Sequence, residues 1–407
     1  MRILLATHGT RGDVQPMIAL ALALRARGHD AAFVAPANFV EWIETYGFRC
    51  QSDGVDVEAV LRRADVDIHS FRSQMRYFRT LAPQLFQAVG RASVGADLIV
   101  GAGIQLAGAS IADLRGVPYV NAVFCPCALP SRLAPPPIRW QTLPPWVNRL
   151  LWRFGAPAID ALLRGPINAG RAEFGLSRVD SPMKTLVQRP TIVAADSELG
   201  PLPPDAPPAA VQTDAWILEQ EEALDPEVDA FIDAGPPPIY VGFGSMVAKR
   251  LDRLASSLAS AAARCRCRMI VAGGWAALHS LMTASADVLA VERAPHRTLF
   301  PRVAAVVHHG GAGTTTAAAG AGVPQVILPH LLDQYYWAHR IEVLGLGPKS
   351  VRVERVTPGG VADRIDLVLR HGRFRARARE MGVRVAPRNG AVAGAEYLEG
   401  LHARGRV

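Results

Sequence analysis

Apolar residues along this chain come in short runs, and each run is followed by a polar or glycine-rich turn and then by a segment with helical periodicity. The first run covers residues 2–7, a helical pattern with Pro16 in its first turn covers 14–27, and a second run covers 31–35. Strand, loop, helix and strand in this order predict the start of a doubly wound α/β domain, in which ligands bind at the carboxyl ends of the strands.

The same alternation continues along the chain with one interruption. Residues 97–102 and 117–123 are predicted strands on either side of a helix, whereas the proline-rich stretch 200–212 has neither pattern. A new series of strands begins at residue 239, so the expected fold is α/β with two doubly wound, Rossmann-like domains facing each other across a cleft. The predicted organisation is a first domain at residues 1–200, a linker at 201–214, a second domain at 215–385 and a C-terminal segment at 386–407.

Two stretches depart from this alternation. Residues 71–86 carry an apolar stripe at partly helical spacing, which is typical of core packing. Residues 124–166 interleave prolines with Trp140, Trp146 and Trp152, and a helix is predicted to resume only at residue 160. A loop of this length in a compact domain is usually functional or mobile. Its aromatic residues would cover a hydrophobic ligand, touch a membrane, or fold back onto the domain.

A glycine-rich turn joins a predicted strand at residues 303–307 to a predicted helix at 314–319. Its sequence, HHGGAG, lets the backbone approach a ligand closely, and the helix after it offers unpaired N–H groups and the positive end of a dipole. Phosphate is the usual ligand of such a turn, with His309 as a further donor and Thr314 as a hydroxyl at the cap. The alternative is a packing turn that binds nothing.

Other glycine motifs narrow the class of ligand. The chain has no G-x-x-x-x-G-K-[ST] sequence and no well-placed G-x-G-x-x-G, which argues against a P-loop NTPase and a nicotinamide dehydrogenase. A second glycine turn, Gly242-Phe243-Gly244, follows the predicted strand that begins at residue 239 and leads to Ser245. The Ser245 hydroxyl is suited to a phosphate or ribose oxygen, and a simple tight turn is the alternative.

Two aspartates lie where the predicted strands meet the cleft. Asp13 lies in the loop after the first strand, where it either caps the helix that follows or takes part in the chemistry as a base. His8 is the other candidate for a base. Asp333 and Gln334 follow the predicted strand at 323–328. A carboxylate beside an amide is suited to two sugar hydroxyls, and helix capping by Asp333 is the alternative.

Composition restricts the function classes further. Half of the residues are hydrophobic and a fifth are charged, which is typical of a globular protein with a sizeable core. The net charge of +8 suits an anionic small molecule or a loose attraction to acidic lipid and does not demand nucleic acid. No apolar run reaches the ~18 residues that span a bilayer, and no signal peptide is recognised, so a cytoplasmic protein with at most peripheral membrane contact is predicted. The five cysteines, four of them in Cys-x-Cys pairs, are predicted to be free thiols rather than metal ligands.

These motifs in combination resemble a known enzyme family. The segments that carry the resemblance are GTRGDVQP (9–16), FGSM (243–246), HHGGAGTT (308–315), GVPQ (322–325) and Asp333-Gln334. They are similar to the signatures of the GT-B glycosyltransferases of family 1, in particular the bacterial antibiotic, glycopeptide and sterol glycosyltransferases, which are related to the UDP-glycosyltransferases. The resemblance extends from residue 1 to about residue 400.

The resemblance implies an inverting transfer of a hexose or deoxyhexose from a UDP- or dTDP-sugar to a hydroxyl of a lipophilic natural-product or sterol-like acceptor, with no metal or other cofactor. The first domain would bind the acceptor, with Asp13 as general base, and the second domain would bind the nucleotide sugar. As an alternative to core packing, residues 71–86 would form a wall of the acceptor pocket. The last helix, at about 391–401, would return to the first domain. The donor-binding residues implied by the family's motifs are Thr10, Arg11, Ser245, Trp275, Arg293, Ala294, His309, Gly311, Gly313, Thr314, Asp333 and Gln334.

Two other functions are compatible with the same fold. A sugar-nucleotide-binding partner protein without catalytic activity would need the second domain but not Asp13, and the complete GTRGDVQP loop argues against it. A sugar-nucleotide epimerase would not need the aromatic stretch at 140–152, which favours a transferase. The acceptor, the sugar and the oligomeric state are not specified by the sequence.

Overall fold

The computed structural model of the chain describes residues 1–63, 70–219, 223–246, 251–274, 278–282 and 285–404. Within these ranges the chain forms two parallel sheets covered by helices, as the alternation of the sequence predicts. The strands are buried on both faces: Ile3 and Leu5 belong to one apolar cluster, and Leu4 and Ala6 belong to another on the opposite face. Near-continuous apolar strands of this kind are expected when helices cover both sides of a parallel sheet.

The first sheet occupies the N-terminal half of the chain. Its strands are β1 (Arg2–His8), β2 (Asp30–Ala35), β3 (Arg49–Ser52), β4 (Leu98–Gly103), β5 (Tyr119–Val123), β6 (Thr191–Val193) and β7 (Ala210–Gln212). Its helices are α1 (Arg11–Ala26), α2 (Val40–Glu44), α3 (Val57–Arg62), α4 (Phe71–Ala92), α5 (Gly108–Arg115), α6 (Pro145–Glu173) and α7 (Pro182–Val187). The strand order is β3-β2-β1-β4-β5-β6-β7. The order reverses between β1 and β4, and their carboxyl ends form the crevice where a doubly wound sheet binds ligands.

The second sheet follows the same principle. Its strands are β8 (Ile239–Gly242), β9 (Met269–Ala272), β10 (Val288–Val291), β11 (Ala305–His308) and β12 (Gln325–Ile327). The helices of this half and the C-terminal helix are α8 (Pro226–Asp233), α9 (Leu251–Cys265), α10 (His296–Leu299), α11 (Ala312–Gly320), α12 (Gln334–Val343), α13 (Pro358–Arg370), α14 (Gly372–Val385) and α15 (Ala391–Arg404). The strand order β10-β9-β8-β11-β12 places the switch point between β8 and β11, so both glycine turns lie at one crevice.

Helix α15 packs on the first domain, against α1. The Glu399 carboxylate accepts hydrogen bonds from Arg27 Nη2 (2.8 Å) and from His29 Nε2 (2.7 Å). Gly390, just before the helix, lies so close to the chain at Thr213 that a Cβ on it would be 1.8 Å from the Thr213 carbonyl oxygen. The C-terminal segment is therefore held both by the first domain and by the connection between the domains.

Two sequence predictions about secondary structure are wrong, and one strand was not predicted. Helix α6 begins at Pro145 and not at residue 160. Proline is tolerated at the first helical position, because the N–H group that it lacks would have had no hydrogen-bond partner within the helix. The proline-rich stretch predicted as a linker ends in β7, which pairs with β6 as the edge of the first sheet. Strand β3 was not predicted, since its four residues, Arg49–Ser52, are mostly polar.

Two further observations concern the described part of the chain. No helix there combines the length and apolar content needed to cross a membrane. The five cysteines are free thiols, as predicted, with Cys125 and Cys127 buried.

Candidate functional site

The carboxyl ends of the strands at both switch points face one cleft between the domains. The cleft encloses about 3300 Å³ and is lined by the loop after β1 on one side and by the loops after β8, β10 and β11 on the other. Pockets for a single small ligand usually have volumes of about 300–1,000 Å³, so the cleft has room for two substrates. Every site residue predicted from the sequence lines it, except Trp275, which lies outside the described residues.

Asp13 lies on the first-domain wall, at the start of α1. Its Oδ2 accepts the backbone N–H of Thr10 (2.8 Å), so Asp13 is the third helical residue and the N-cap position considered for it from the sequence belongs to Thr10. Gly9 and Gly103 make room for the carboxylate, because a Cβ on them would lie 2.2 Å from Oδ2 and 3.2 Å from Oδ1, respectively. Burial raises the pKa of Asp13 above its ordinary value, although the hydrogen bonds from Thr10 and the charge of His8 oppose this rise. A raised pKa makes the carboxylate a stronger base.

His8, the rival base, is buried at the end of β1 with both ring nitrogens occupied. Nδ1 lies 2.6 Å from Asp53 Oδ2, and Nε2 lies 2.6 Å from the Tyr77 hydroxyl. Both ring nitrogens are therefore engaged by protein groups, and neither is left to take a proton from a substrate. Tyr77 itself lines the cleft wall. Asp13, which faces the cleft directly, is better placed than His8 to take a proton from a substrate.

Sequence reasoning missed Asp53 and left the role of Tyr77 open between core and wall. Asp53 follows β3, and an aspartate directly after a strand of a doubly wound sheet is the signal that would have indicated it. The strand itself is too short and too polar to be recognised by its pattern. Tyr77 lines the cleft from α4.

The turn after β11 is fixed by a chain of hydrogen bonds. His308 Nδ1 accepts the N–H of Gly310 (3.1 Å), so its proton is on Nε2, which donates to Gln325 Oε1 (2.9 Å). Gln325 Nε2 donates in turn to the carbonyl oxygen of Thr315 in α11 (3.2 Å). Burial lowers the pKa of His308 to about 4, so the imidazole is neutral. The sequence motif around Gln325 therefore holds the glycine turn in place from the neighbouring strand.

The positive end of α11 faces the cleft. Gly311 is its N-cap and no side chain caps the helix, so the N–H groups of the first turn have no helical partner. Ala312, Gly313 and Thr314 line the cleft at this end. Thr314 is the third helical residue and not the cap residue predicted for it, because the helix begins at Ala312. The arrangement suits an anion, as the glycine-rich turn predicts.

His309 lies beside this helix end with its imidazole against Gly311, where a Cβ would be 2.5 Å from Nε2. Burial lowers the pKa of His309 well below its ordinary value, and nearby His308, His330 and His296 add to the effect. His309 is therefore neutral. Its Nδ1 is buried and has no hydrogen-bond partner among the described residues, which leaves it available to a ligand.

Asp333 and Gln334 enter the cleft from the start of α12 in different ways. Asp333 occupies the N-cap position, but its side chain makes no capping hydrogen bond. Burial and the charge of Asp13 raise the pKa of Asp333 to about 6. Gln334 Oε1 already accepts the N–H groups of His330 (2.8 Å) and Leu331 (3.2 Å). Its amide nitrogen donates to Met246 Sδ (3.2 Å), which leaves one amide hydrogen for a sugar hydroxyl.

The remaining predicted residues lie along the second-domain wall or reach towards it. Ser245 follows β8, and Arg293 and Ala294 follow β10.

Arg11 lies with its guanidinium 4.6 Å from the centre of the Trp42 ring. Burial lowers the pKa of His296 in the second domain to about 3, and the charge of Arg11 contributes from across the cleft. The cleft thus presents cationic side chains and neutral histidines around the helix end.

Comparison with known proteins identifies the family. A family model described as the glycosyltransferase family 28 N-terminal domain matches residues 3–127, and one described as the C-terminal domain of erythromycin biosynthesis protein CIII-like proteins matches residues 258–391. The vancomycin aglycone glucosyltransferase of Amycolatopsis orientalis is 38% identical to this chain, over 85% of each protein. The dTDP-epi-vancosaminyltransferase of the same organism is 33% identical, also over 85% of each. The chain therefore belongs to the family of antibiotic and sterol glycosyltransferases and is a glycosyltransferase.

Solved structures confirm the predicted GT-B fold. The glycosyltransferase SnogD from Streptomyces nogalater superposes with a TM-score of 0.72 at 21% identity, over 99% of each chain. The glycosyltransferase VinC, solved in complex with dTDP, superposes with a TM-score of 0.70 at 20% identity, over 99% of this chain and 100% of that one. Two Rossmann-like domains facing across a cleft are thus the shared architecture.

Proposed function

We propose that this glycosyltransferase moves a hexose or deoxyhexose from a UDP- or dTDP-sugar to a hydroxyl of a lipophilic natural-product or sterol-like acceptor, with inversion and with Asp13 as general base. The observation that carries the proposal is the placement of Asp13, with its raised pKa, across one cleft from the open N-terminus of α11. One wall supplies a base and the other binds an anion. A transfer between two substrates requires both.

The proposed reaction is a single displacement. Asp13 takes the proton of the acceptor hydroxyl while that oxygen forms a bond to the anomeric carbon. The bond from this carbon to the diphosphate oxygen breaks, and its electron pair leaves with the diphosphate. The first-turn N–H groups of α11 and the Nδ1 of His309 would stabilise the charge that develops on the leaving group. Attack opposite the leaving group inverts the anomeric configuration.

The donor assignment rests on the second domain, residues 215–385 of the proposed organisation. Arg293 and Ala294 would contact the nucleobase, Ser245 and the turn at 309–314 would hold the diphosphate, and Asp333 would accept hydrogen bonds from sugar hydroxyls. Relatives support the donor class: one is named a dTDP-sugar transferase, and the structure of VinC contains dTDP. No cofactor or metal is part of the proposal, because the leaving diphosphate would be stabilised by the protein's own donors. Full activity after exhaustive chelation is the expected result.

The acceptor assignment rests on residues 1–200. The wall on this side is mostly apolar and includes Phe39, Trp42, Tyr77, Phe78, Phe124 and Trp140. Relatives act on a vancomycin aglycone and on sterols, according to their names. A lipophilic acceptor that presents one hydroxyl to Asp13 matches this wall.

Nucleotide binding is the first test. Calorimetry with UDP and with dTDP is expected to show tight binding of one of them, weakened at least tenfold in His309→Ala. The control is His371→Ala, because His371 is exposed and does not line the cleft. If neither nucleotide binds, or if both variants weaken binding equally, the donor site is wrongly assigned.

Catalysis is the second test, and it separates the transferase from the two alternatives. Asp13→Asn is expected to bind nucleotide within about twofold of the wild type and to lose transfer by about 10²–10⁴-fold. A partner protein without activity would transfer nothing in either form. An epimerase would change the sugar nucleotide without any acceptor, which NMR of the donor would reveal. The anomeric coupling constant of the product tests inversion.

A further inference from the structure

The N-terminal part of α6 leaves apolar side chains exposed on one side. Trp146, Leu150 and Phe154 are four residues apart, so they follow one line along the helix, and their exposed fractions are 67%, 41% and 68%. The other side of the helix is anchored, because Asn148 and Trp152 donate hydrogen bonds to the backbone of the preceding loop. This anchoring holds the apolar line outward.

Helix α4 lies beside α6 and extends the same surface. Phe86 packs on Gly170, and Gly90 packs on Phe174. The two helices therefore run parallel, and continuing this register places Phe71, the first residue of α4 and 56% exposed, beside the Phe154 end of the apolar line. The combined surface, which we name the α4–α6 face, carries two aromatic side chains from α6 and one from α4.

The α4–α6 face is basic. Neither α4 nor residues 114–159 contain an Asp or a Glu. Five exposed arginines lie on the N-terminal halves of the two helices, and within the described ranges none of them forms an ion pair: Arg72, Arg76, Arg79, Arg149 and Arg153. Aromatic side chains flanked by arginines are characteristic of protein surfaces that enter the headgroup region of a bilayer.

We propose that the α4–α6 face docks on an anionic lipid bilayer. Trp146, Phe154 and Phe71 enter the headgroup region, and the arginines contact lipid phosphates while their methylene stems cover the apolar boundary. Charge complementarity selects this occupant. A second copy of the chain placed face to face would bring arginine against arginine, which opposes symmetric pairing through this surface. The docking differs from membrane spanning, since the helices lie along the surface.

The α4–α6 face is continuous with the acceptor wall of the cleft. Arg139 and Trp140, a few residues before α6, line the cleft with the guanidinium 4.0 Å from the centre of the Trp140 ring. Tyr77 and Phe78 line it from α4. Docking would therefore bring the acceptor wall close to the bilayer, where a lipophilic acceptor is concentrated. This last step rests on the proposed function, whereas the docking itself does not.

Vesicle flotation tests the docking directly. The full chain is mixed with vesicles of phosphatidylcholine alone, or of phosphatidylcholine with a quarter phosphatidylglycerol, at physiological ionic strength. The wild type is expected to float with the anionic vesicles only. Arg149→Gln/Arg153→Gln is expected to weaken partitioning about thirtyfold, because each of the two arginines removed contributes about tenfold or slightly less to binding at an anionic surface. Trp146→Ser/Phe154→Ser is expected to weaken it at least tenfold.

Two controls separate this face from general charge and general exposure. Arg375→Gln/Arg379→Gln removes the same charge from exposed positions on α14, and Val383→Ser removes an exposed apolar residue there. Both are expected to float like the wild type. The melting temperature, measured for every variant, checks that each is folded, and none of these residues lines the cleft.

Three outcomes would overturn the docking proposal. The first is a wild type that does not float with anionic vesicles, and the second is a loss of partitioning that is equal in the α14 control. The third is a wild type that binds no vesicles but forms a dimer in solution, with the dimer abolished by Trp146→Ser/Phe154→Ser. This outcome would make the face a self-association surface. Flotation needs no sugar nucleotide, so its failure leaves the proposed function untouched, and a failure of nucleotide binding leaves the docking result intact.

Discussion

Asp13 of the first domain and Asp333 of the second face the same cleft, and the negative charge of Asp13 adds to burial in raising the pKa of Asp333 to about 6. Two carboxyl groups in one cleft ionise together less readily than each would alone. Hydroxyl groups of a substrate that enters between them would donate to both carboxylates and relieve this repulsion. The empty cleft is therefore electrostatically less stable than the filled one near neutral pH.

Asp333→Asn is expected to stabilise the protein above about pH 6. The pKa of Asp333 is about 6 in the folded protein and has its ordinary value of 3.8 in the unfolded chain. The unfolded chain therefore loses this proton at lower pH, and the stability of the fold falls as the pH rises from about 4 to about 6. At ~1.4 kcal/mol per pKa unit this loss is at most about 3 kcal/mol. Thermal unfolding across this range should give equal melting temperatures near pH 3 and a higher one for the variant above pH 6. A constant difference at all pH values would contradict the prediction.

Asp13 and His8 are distinguished by the pH dependence of transfer. His8→Gln is expected to retain transfer and its acid limb, because Asp13 is the group that must be ionised. The limb should move to higher pH, since the charge of His8 no longer opposes the rise that burial causes in the pKa of Asp13. Its melting temperature should fall, since Asp53 loses a buried hydrogen-bond partner. Asp13→Asn should remove the acid limb together with the activity. A His8→Gln protein as inactive as Asp13→Asn, but equally well folded, would instead assign the base to His8.

Gln325→Leu is expected to weaken nucleotide binding although Gln325 does not line the cleft. The substitution leaves the protonated Nε2 of His308 and the Thr315 carbonyl oxygen without partners in the core, which costs about 2–4 kcal/mol of stability and loosens the turn. Calorimetry with the preferred nucleotide should show at least a tenfold loss at a temperature where the variant is folded. Thr314→Ala is the matched control, expected to change affinity without changing the melting temperature. Unchanged affinity in Gln325→Leu would show that the turn does not depend on this chain of hydrogen bonds.

Glu399→Gln is expected to loosen α15 from α1. Hydrogen bonds from Arg27 and His29 lower the pKa of Glu399 to about 2. An acid with a lowered pKa stabilises the fold above its ordinary pKa of 4.5 and loses this effect as the pH falls towards 2. The difference in melting temperature between wild type and variant should therefore shrink from pH 6 to pH 2. It should also shrink in 1 M salt, because the ion pairs are exposed. A difference insensitive to both conditions would place the effect in packing.

The secondary structure shows where sequence patterns succeed and fail. The strands around both glycine turns were predicted because buried parallel strands are apolar throughout. Helix α6 was predicted too short, because the prolines at 145 and 157 suggest breaks, although one begins the helix and the other is tolerated within it. Strand β3 carries no apolar run, since it pairs only with β2 near the edge of the sheet.

By itself the sequence determined the two-domain α/β fold, the family, and the positions at which the chain meets the cleft, because these depend on local periodicity and on short motifs such as GTRGDVQP and HHGGAGTT. Only the tertiary structure decided which side chains act together. The contact of His8 with Asp53 and Tyr77 and the influence of Asp13 on Asp333 join residues that are far apart in the chain. Such relationships arise from how strands and helices pack, and no local spacing specifies them.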